Sequence, residues 1–120
     1  MIRDMDLVRA ILIALEDAPF DGGPLTLTLP NCAPDEYSYH VMLLHQAGLI
    51  HAFDFSSDSY ADWRPAYLTW DGHEFLQAAK DDTRWNRAKS YLTEKGSPMI
   101  FEVLKTLLLG YVNQKVFAQK

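Results

Sequence analysis

His40-Val41-Met42-Leu43-Leu44-His45-Gln46-Ala47-Gly48-Leu49-Ile50 is the stretch on which the fold of this chain turns. Val41, Leu44 and Ala47 recur at helical spacing, so the run predicts the second half of a helix with one buried side. Gly48 follows as the stop, because glycine takes up the left-handed conformation of a helix end without a Cβ clash. Leu49 and Ile50 lead into LIHAFDF (49–55), whose period-two alternation predicts a strand.

Working back toward the N-terminus, Pro34-Asp35-Glu36 opens this helix, with Asn31 or Ala33 at the cap and proline tolerated in the first turn. Its inner stripe is expected at Tyr37, Val41, Leu44 and Ala47, flanked by His40 and Leu43. LTLTL (25–29) alternates leucine and threonine and predicts a short strand. Pro19, Gly22, Gly23 and Pro24 separate it from a first helix over 3–17, with Met5, Val8, Ile11, Leu12 and Leu15 on one face. Asp4 and Asp6 fall in its first turn, where the helix dipole favours negative charge.

Toward the C-terminus, SSDSYADWRP (56–65) is a polar connection and AYLTW (66–70) a second strand, which together with 49–55 makes a hairpin. Asp71-Gly72-His73-Glu74 has the spacing of a capping box and starts a helix bearing Phe75, Leu76 and Ala79. Trp85, Ala88 and Leu92 continue an apolar face after Asp82-Thr83, and Gly96-Ser97-Pro98 breaks the chain. The last helix, 98–117, carries Ile100, Phe101, Val103, Leu104, Leu107, Leu108, Leu109, Tyr111, Val112, Val116 and Phe117. These cover more of its circumference than one packing face requires.

Helix, short strand, helix ending in glycine, hairpin and helices again is the element order of a winged helix. The expectation is an α+β, winged-helix-like single domain over 1–120, mainly helical, with a short strand, a two-stranded hairpin wing and C-terminal helices. The 40–50 run resembles the H-L-x-x-L-x-x-A-G-L-[IV] pattern of many winged-helix regulators, where it closes the recognition helix and enters the wing. A wider resemblance covers most of the chain. Arg3-Asp4-Met5-Asp6-Leu7-Val8-Arg9, Tyr39-His40 with Ala47-Gly48-Leu49-Ile50, and Leu68-Thr69-Trp70-Asp71-Gly72-His73-Glu74-Phe75-Leu76 are similar to domain-of-unknown-function family 2513. Asp81-Asp82-Thr83-Arg84-Trp85 and Glu94-Lys95-Gly96 fit the same pattern. The resemblance implies a fold and a setting in bacteria, phages and integrated elements; it implies no activity and no site.

Composition narrows the classes further. Of the 120 residues 48% are apolar and 12% aromatic, which excludes a disordered chain. Cys32 is the single cysteine, which excludes a disulfide scaffold. No apolar run reaches the roughly 18–20 residues that span a bilayer. Asp4 and Asp6 stand where a secretion signal needs basic and then apolar residues, so a cytoplasmic protein is expected. Residues 1–79 carry three basic side chains against twelve acidic, a balance of −9, whereas residues 80–120 carry eight against four, a balance of +4. The first field repels phosphate backbones.

That charge bears on the helix that reads DNA in winged helices. Its outward face is expected to be Asp35, Ser38, Tyr39, Met42, His45 and Gln46, with no Lys or Arg, and the wing offers Arg64 alone. DNA reading through this face is disfavoured. The alternative DNA-binding set is Lys80, Arg84, Arg87 and Lys89, close together on the basic 80–95 helix. Histidines 40, 45, 51 and 73 lack zinc-ligand spacing, so no metal or cofactor is expected, and each is assigned a solvent-facing or core role. Cys32 is expected as a small buried thiol, and no phosphate-cradling glycine loop is present. An enzyme is therefore not expected.

Two features point to protein partners. The wing interleaves aromatics with acids, and Asp54, Asp58, Tyr60, Asp62 and Trp63 are the candidate partner-binding residues, with Phe53 and Phe55 expected to fold back onto the sheet. The C-terminal helix offers Leu107, Leu108, Tyr111 and Val112 as a homodimer interface. The expected function is a non-enzymatic protein-binding module of phage or mobile-element type. Its acidic surface would mimic nucleic acid and block a host protein, for example one of a defence system, that has a basic surface. The alternative is a winged-helix transcription regulator using the basic helix.

Overall fold

Asp4 starts the first helix: its carboxylate accepts hydrogen bonds from the Asp6 and Leu7 amides at 2.9 and 3.4 Å, so it is the cap itself and not a first-turn residue. The computed structural model describes residues 1–118, with side chains as far as Asn113. Among these are five helices and two strands: α1 (Met5–Asp17), α2 (Pro34–Gln46), β1 (Ile50–Asp54), β2 (Trp63–Leu68), α3 (Trp70–Ala79), α4 (Asp82–Glu94) and α5 (Phe101–Ala118). The chain is thus α+β, with one antiparallel hairpin. Its contacts separate into two units, the first over Met1–His73 and the second from Glu74, the boundary falling inside α3.

In the first unit α1 buries Met5, Val8, Ile11, Leu12 and Leu15, the stripe its spacing predicts. Its helix partner α2 departs from expectation. Val41 and Leu44 are buried, but Ala47 is exposed and Ser38, expected to face outward, is buried. The Ser38 hydroxyl accepts the Trp63 amide at 2.8 Å, which satisfies the first residue of β2 and turns this side of α2 toward the hairpin. Gly48 has φ +76°, as the helix stop requires.

The strands also differ from the pattern. β2 begins at Trp63, not Ala66, so the connection is residues 55–62. The register runs Ile50↔Leu68, His51↔Tyr67, Ala52↔Pro65, Phe53↔Arg64 and Asp54↔Trp63, with an irregularity after His51. Residues 25–29 form no strand. Their leucines are half-buried and their threonines exposed, as alternation predicts, but the backbone makes one ladder bond, Leu25 N–H to the Pro65 carbonyl at 2.7 Å. The N–H and C=O of one strand residue point to the same side, and proline has no N–H to return the bond. The Tyr37 hydroxyl is buried beside the Leu27 backbone without a hydrogen-bond partner, and burial pushes its pKa up.

The cap of α3 is Thr69, not Asp71. Its hydroxyl accepts the Gly72 amide at 3.1 Å and donates to the Gly48 carbonyl at 2.6 Å, and its own amide donates to Leu49 O at 3.0 Å. Both Thr69 and Asp71 have cap chemistry; the bond to Gly48 decides between them. Replacing Thr69 with alanine costs about 1–2 kcal/mol, the value of a cap plus one hydrogen bond, read from the urea midpoint.

In the second unit, Asp81 caps α4 through the Arg84 amide at 2.8 Å. Trp85, Ala88 and Leu92 are buried on α4, Phe75, Leu76, Ala78 and Ala79 on α3, and Leu104 and Leu108 on α5. Phe75 packs on Phe101 with ring centroids 4.8 Å apart. No helix among the described residues is long and apolar enough to cross a membrane.

Candidate functional site

The 55–62 connection is closed by its own hydrogen bonds. Phe55 N–H donates to Asp62 O at 2.8 Å, Asp62 N–H to Ser56 Oγ at 2.9 Å, Ser56 N–H to Asp54 Oδ1 at 2.9 Å and Ser57 N–H to Tyr60 O at 2.9 Å. Serine and aspartate suit this because their short side chains bond nearby backbone groups, building a loop without a core beneath it. Hydrogen bonds from the Ser56 hydroxyl first, and then from its amide, hold the Asp54 carboxyl below its usual range. The result is a pre-shaped loop that projects Asp58 and Tyr60, the latter 63% exposed.

Of the five expected partner-binding residues, Asp54, Asp58 and Tyr60 lie exposed on or beside this loop. Asp62 is half-buried and holds the Arg64 guanidinium in a two-pronged pair, Nε to Oδ1 at 3.2 Å and Nη2 to Oδ2 at 2.8 Å. That bond holds the Asp62 carboxyl below the ordinary carboxylate range. Trp63 turns back onto the imidazole of His45, 5.4 Å between centroids, and is half-buried. Phe55 does the reverse of what was expected: it is 46% exposed, with the Arg64 guanidinium 4.7 Å over its ring.

These rings belong to a longer row. Phe20 meets Tyr67 edge-on at 5.4 Å, Tyr67 stacks on His51 at 5.2 Å, His51 meets Phe53 at 5.0 Å, and Phe53 lies 6.3 Å from Phe55. His51, Phe53 and Phe55 are two apart along the chain, so one side of the hairpin carries them all. That alternation was visible in the sequence; the cross-strand position of Arg64 and the return of Phe20 were not.

The histidines of α2 serve the fold. His40 is fully buried, its Nε2 accepting the Asp4 amide and its Nδ1 donating to the Glu36 carbonyl, both at 2.8 Å. His45 Nδ1 accepts the Ala52 amide at 3.2 Å. With Ser38 buried and His45 taken by β1, the expected DNA-facing side of α2 is reduced to Asp35, Tyr39, Met42 and Gln46. Cys32 is half-exposed instead of buried, with a weak Sγ contact to Ala33 O at 3.7 Å. Burial first, and then the carboxylates of Glu36, Asp35 and Asp4, push its thiol pKa up, which disfavours the nucleophilic thiolate.

In the second unit the basic candidates are engaged. Arg84 donates to the Gln77 and Ala78 carbonyls at 3.1 and 3.4 Å, closing the end of α3, and the Arg87 guanidinium lies 4.2 Å over the Tyr111 ring. Lys80 and Lys89 also make interactions. Of the homodimer candidates, Leu108 is fully buried within the chain, whereas Leu107, Tyr111 and Val112 are half-buried. Leu107 and Tyr111 border a groove of about 520 Å³ between α4 and α5, with Leu92, Val103 and Gly110. The side chains of Val116 and Phe117 lie outside the described residues. No group of three or more metal-ligating side chains occurs among the described residues.

The family model described as "Hypothetical protein (DUF2513)" matches residues 2–98, ending just before α5. An uncharacterized protein of Haemophilus influenzae is 35% identical over 118 residues, covering 95% of this chain and 98% of its own length. No solved structure matches the chain.

Proposed function

The chain belongs to the DUF2513 family of hypothetical proteins, and for it we propose a winged-helix-like module that binds a protein partner through the wing loop 55–62 without catalysing a reaction. Helix α2, the glycine stop and the β1–β2 hairpin support the winged-helix reading. The observation that carries the binding reading is the loop itself. Tyr60 is 63% exposed at the tip of a connection whose backbone is already tied, so little ordering entropy opposes its burial by a partner. Asp54 and Asp58 beside it fit a partner with a basic surface, and the −9 balance of residues 1–79 would steer that encounter. We place the module, of phage or mobile-element type, in the cytoplasm of a bacterial host, occupying a host protein's nucleic-acid-binding surface. We extend the reading to a homodimer through Leu107, Tyr111 and Val112 along the α4–α5 groove.

A DNA-binding role through Lys80, Arg84, Arg87 and Lys89 is the weaker reading, because Arg84 and Arg87 already serve carbonyls and a ring of their own unit.

The test is affinity capture from nuclease-treated bacterial lysate with the native chain and with a variant carrying Tyr60→Ala and Asp58→Asn. A stoichiometric partner recovered by the native chain falls at least about tenfold with the variant, the loss expected for an aromatic anchor and its neighbouring charge. Equal recovery by both, or partners that vanish on nuclease treatment, overturns the proposal.

A further inference from the structure

We infer that Phe55 and Asp62 form a seat for an arginine of the partner protein, and that Arg64 fills this seat in the free chain as an internal stand-in. This rests on the reading that the wing binds protein. The chain displays the bound geometry on itself: a guanidinium 4.7 Å over the Phe55 ring with two nitrogens on the two oxygens of one carboxylate, at 3.2 and 2.8 Å. A planar fork that lies over a ring and pairs two-pronged at once is arginine chemistry; an ammonium, a point charge, has neither the flat face nor the parallel pair of N–H bonds.

Three features make the occupant exchangeable. The Arg64 side chain and the Phe55 ring are each nearly half exposed, so no packed core locks them. An exposed ion pair holds its partners weakly, which keeps the cost of release small. Arg64 leaves into water, and the incoming guanidinium restores both the ion pair and the ring contact, so no charge is stranded. Asp54 and Asp58, exposed on or beside the same loop, steer a cation toward the seat. The same acidic surroundings argue for an arginine-bearing protein segment as the occupant and against a phosphate-bearing one.

The test measures binding of fluorescent nona-arginine and nona-lysine peptides to the full chain by anisotropy. The readout is the ratio of the two affinities, because a change in net charge alone moves both peptides together. In the native chain arginine is favoured. In Arg64→Ala the ratio rises by about three- to tenfold, since removing an internal competitor raises apparent affinity by the reciprocal of the fraction of seats it had left open. In Asp62→Asn and in Phe55→Leu the ratio falls toward one. An unchanged ratio in Arg64→Ala and in Asp62→Asn overturns the inference, with matching circular dichroism spectra showing that the variants are folded.

The outcome separates from that of the module reading. Loss of captured partner by the Tyr60/Asp58 variant with an unmoved peptide ratio leaves the wing as a binding site and removes the arginine seat. A peptide ratio that moves as described, with undiminished partner capture by that variant, keeps the seat and removes the loop tip as the anchor.

Discussion

Gly72→Ala lowers the stability of this protein by about 3 kcal/mol or more, a large part of the 5–15 kcal/mol typical of a small domain. A Cβ at position 72 runs into the Leu49 carbonyl oxygen and carbon, which are backbone and do not swing away as a side chain would. Retreat is blocked on both sides. Leu49 O is already bonded to the Thr69 amide, and Thr69 Oγ1 ties the Gly72 amide to the Gly48 carbonyl. Separating α3 from the α2–β1 turn to admit one methyl would break these bonds together. Urea unfolding monitored by circular dichroism measures the loss, and a change under about 1 kcal/mol would show that the close approach is not a constraint. Gly110→Ala is the matched control. It lies inside α5 with nothing within 4 Å of an added Cβ, so alanine there is neutral or stabilising by about 0.5–1 kcal/mol.

His40→Leu costs about 3 kcal/mol, although it keeps the site apolar and nearly the same size. The imidazole is fully buried and joins two helices by accepting at Nε2 from the Asp4 amide, at the cap of α1, and donating from Nδ1 to the Glu36 carbonyl on α2. An amide only donates and a carbonyl only accepts, so these partners define the neutral tautomer with the proton on Nδ1. Leucine leaves the Asp4 amide without its acceptor in a part-buried place, where an unmade hydrogen bond carries its full desolvation cost. Hydrogen exchange supplies a local reading: the Asp4 amide is protected in the native chain and exchanges much faster in the variant. An Asp4 amide equally protected in both would show that His40 is a space-filler only.

How far the fold was legible depended on whether the deciding contact was local. The stripe of α1, the faces of α3 and α4 and the stop at Gly48 follow from spacing within one segment, and they stand where spacing predicts. Spacing puts Ser38 on the outward side of α2, whereas its burial depends on the Trp63 amide, 25 residues away. Spacing points to Asp71 as the cap of α3 and is silent on Thr69, because the bond from Thr69 to Gly48 crosses 21 residues. The start of β2 moved to Trp63 through the pairing of Trp63 with Asp54, a relation between strands that neither strand declares alone. The wing shows the same division. Its acids and Tyr60 are readable as surface residues, whereas Arg64 over Phe55 exists only once the strands are paired. Leu108 illustrates the opposite error: a helix apolar on most sides does not say which leucine its own neighbours consume.

Pro65 carries a consequence for how copies of this chain meet. LTLTL has the alternation and β-propensity of segments that zip into intermolecular sheets. It lies beside β2, where a single bond to Pro65 O holds it and the missing proline N–H prevents a second. A foreign strand approaching that edge meets the same interruption, so the site that would nucleate cross-chain stacking is blunted by one residue. Proline there acts as a gatekeeper against strand addition at the β2 edge of the hairpin.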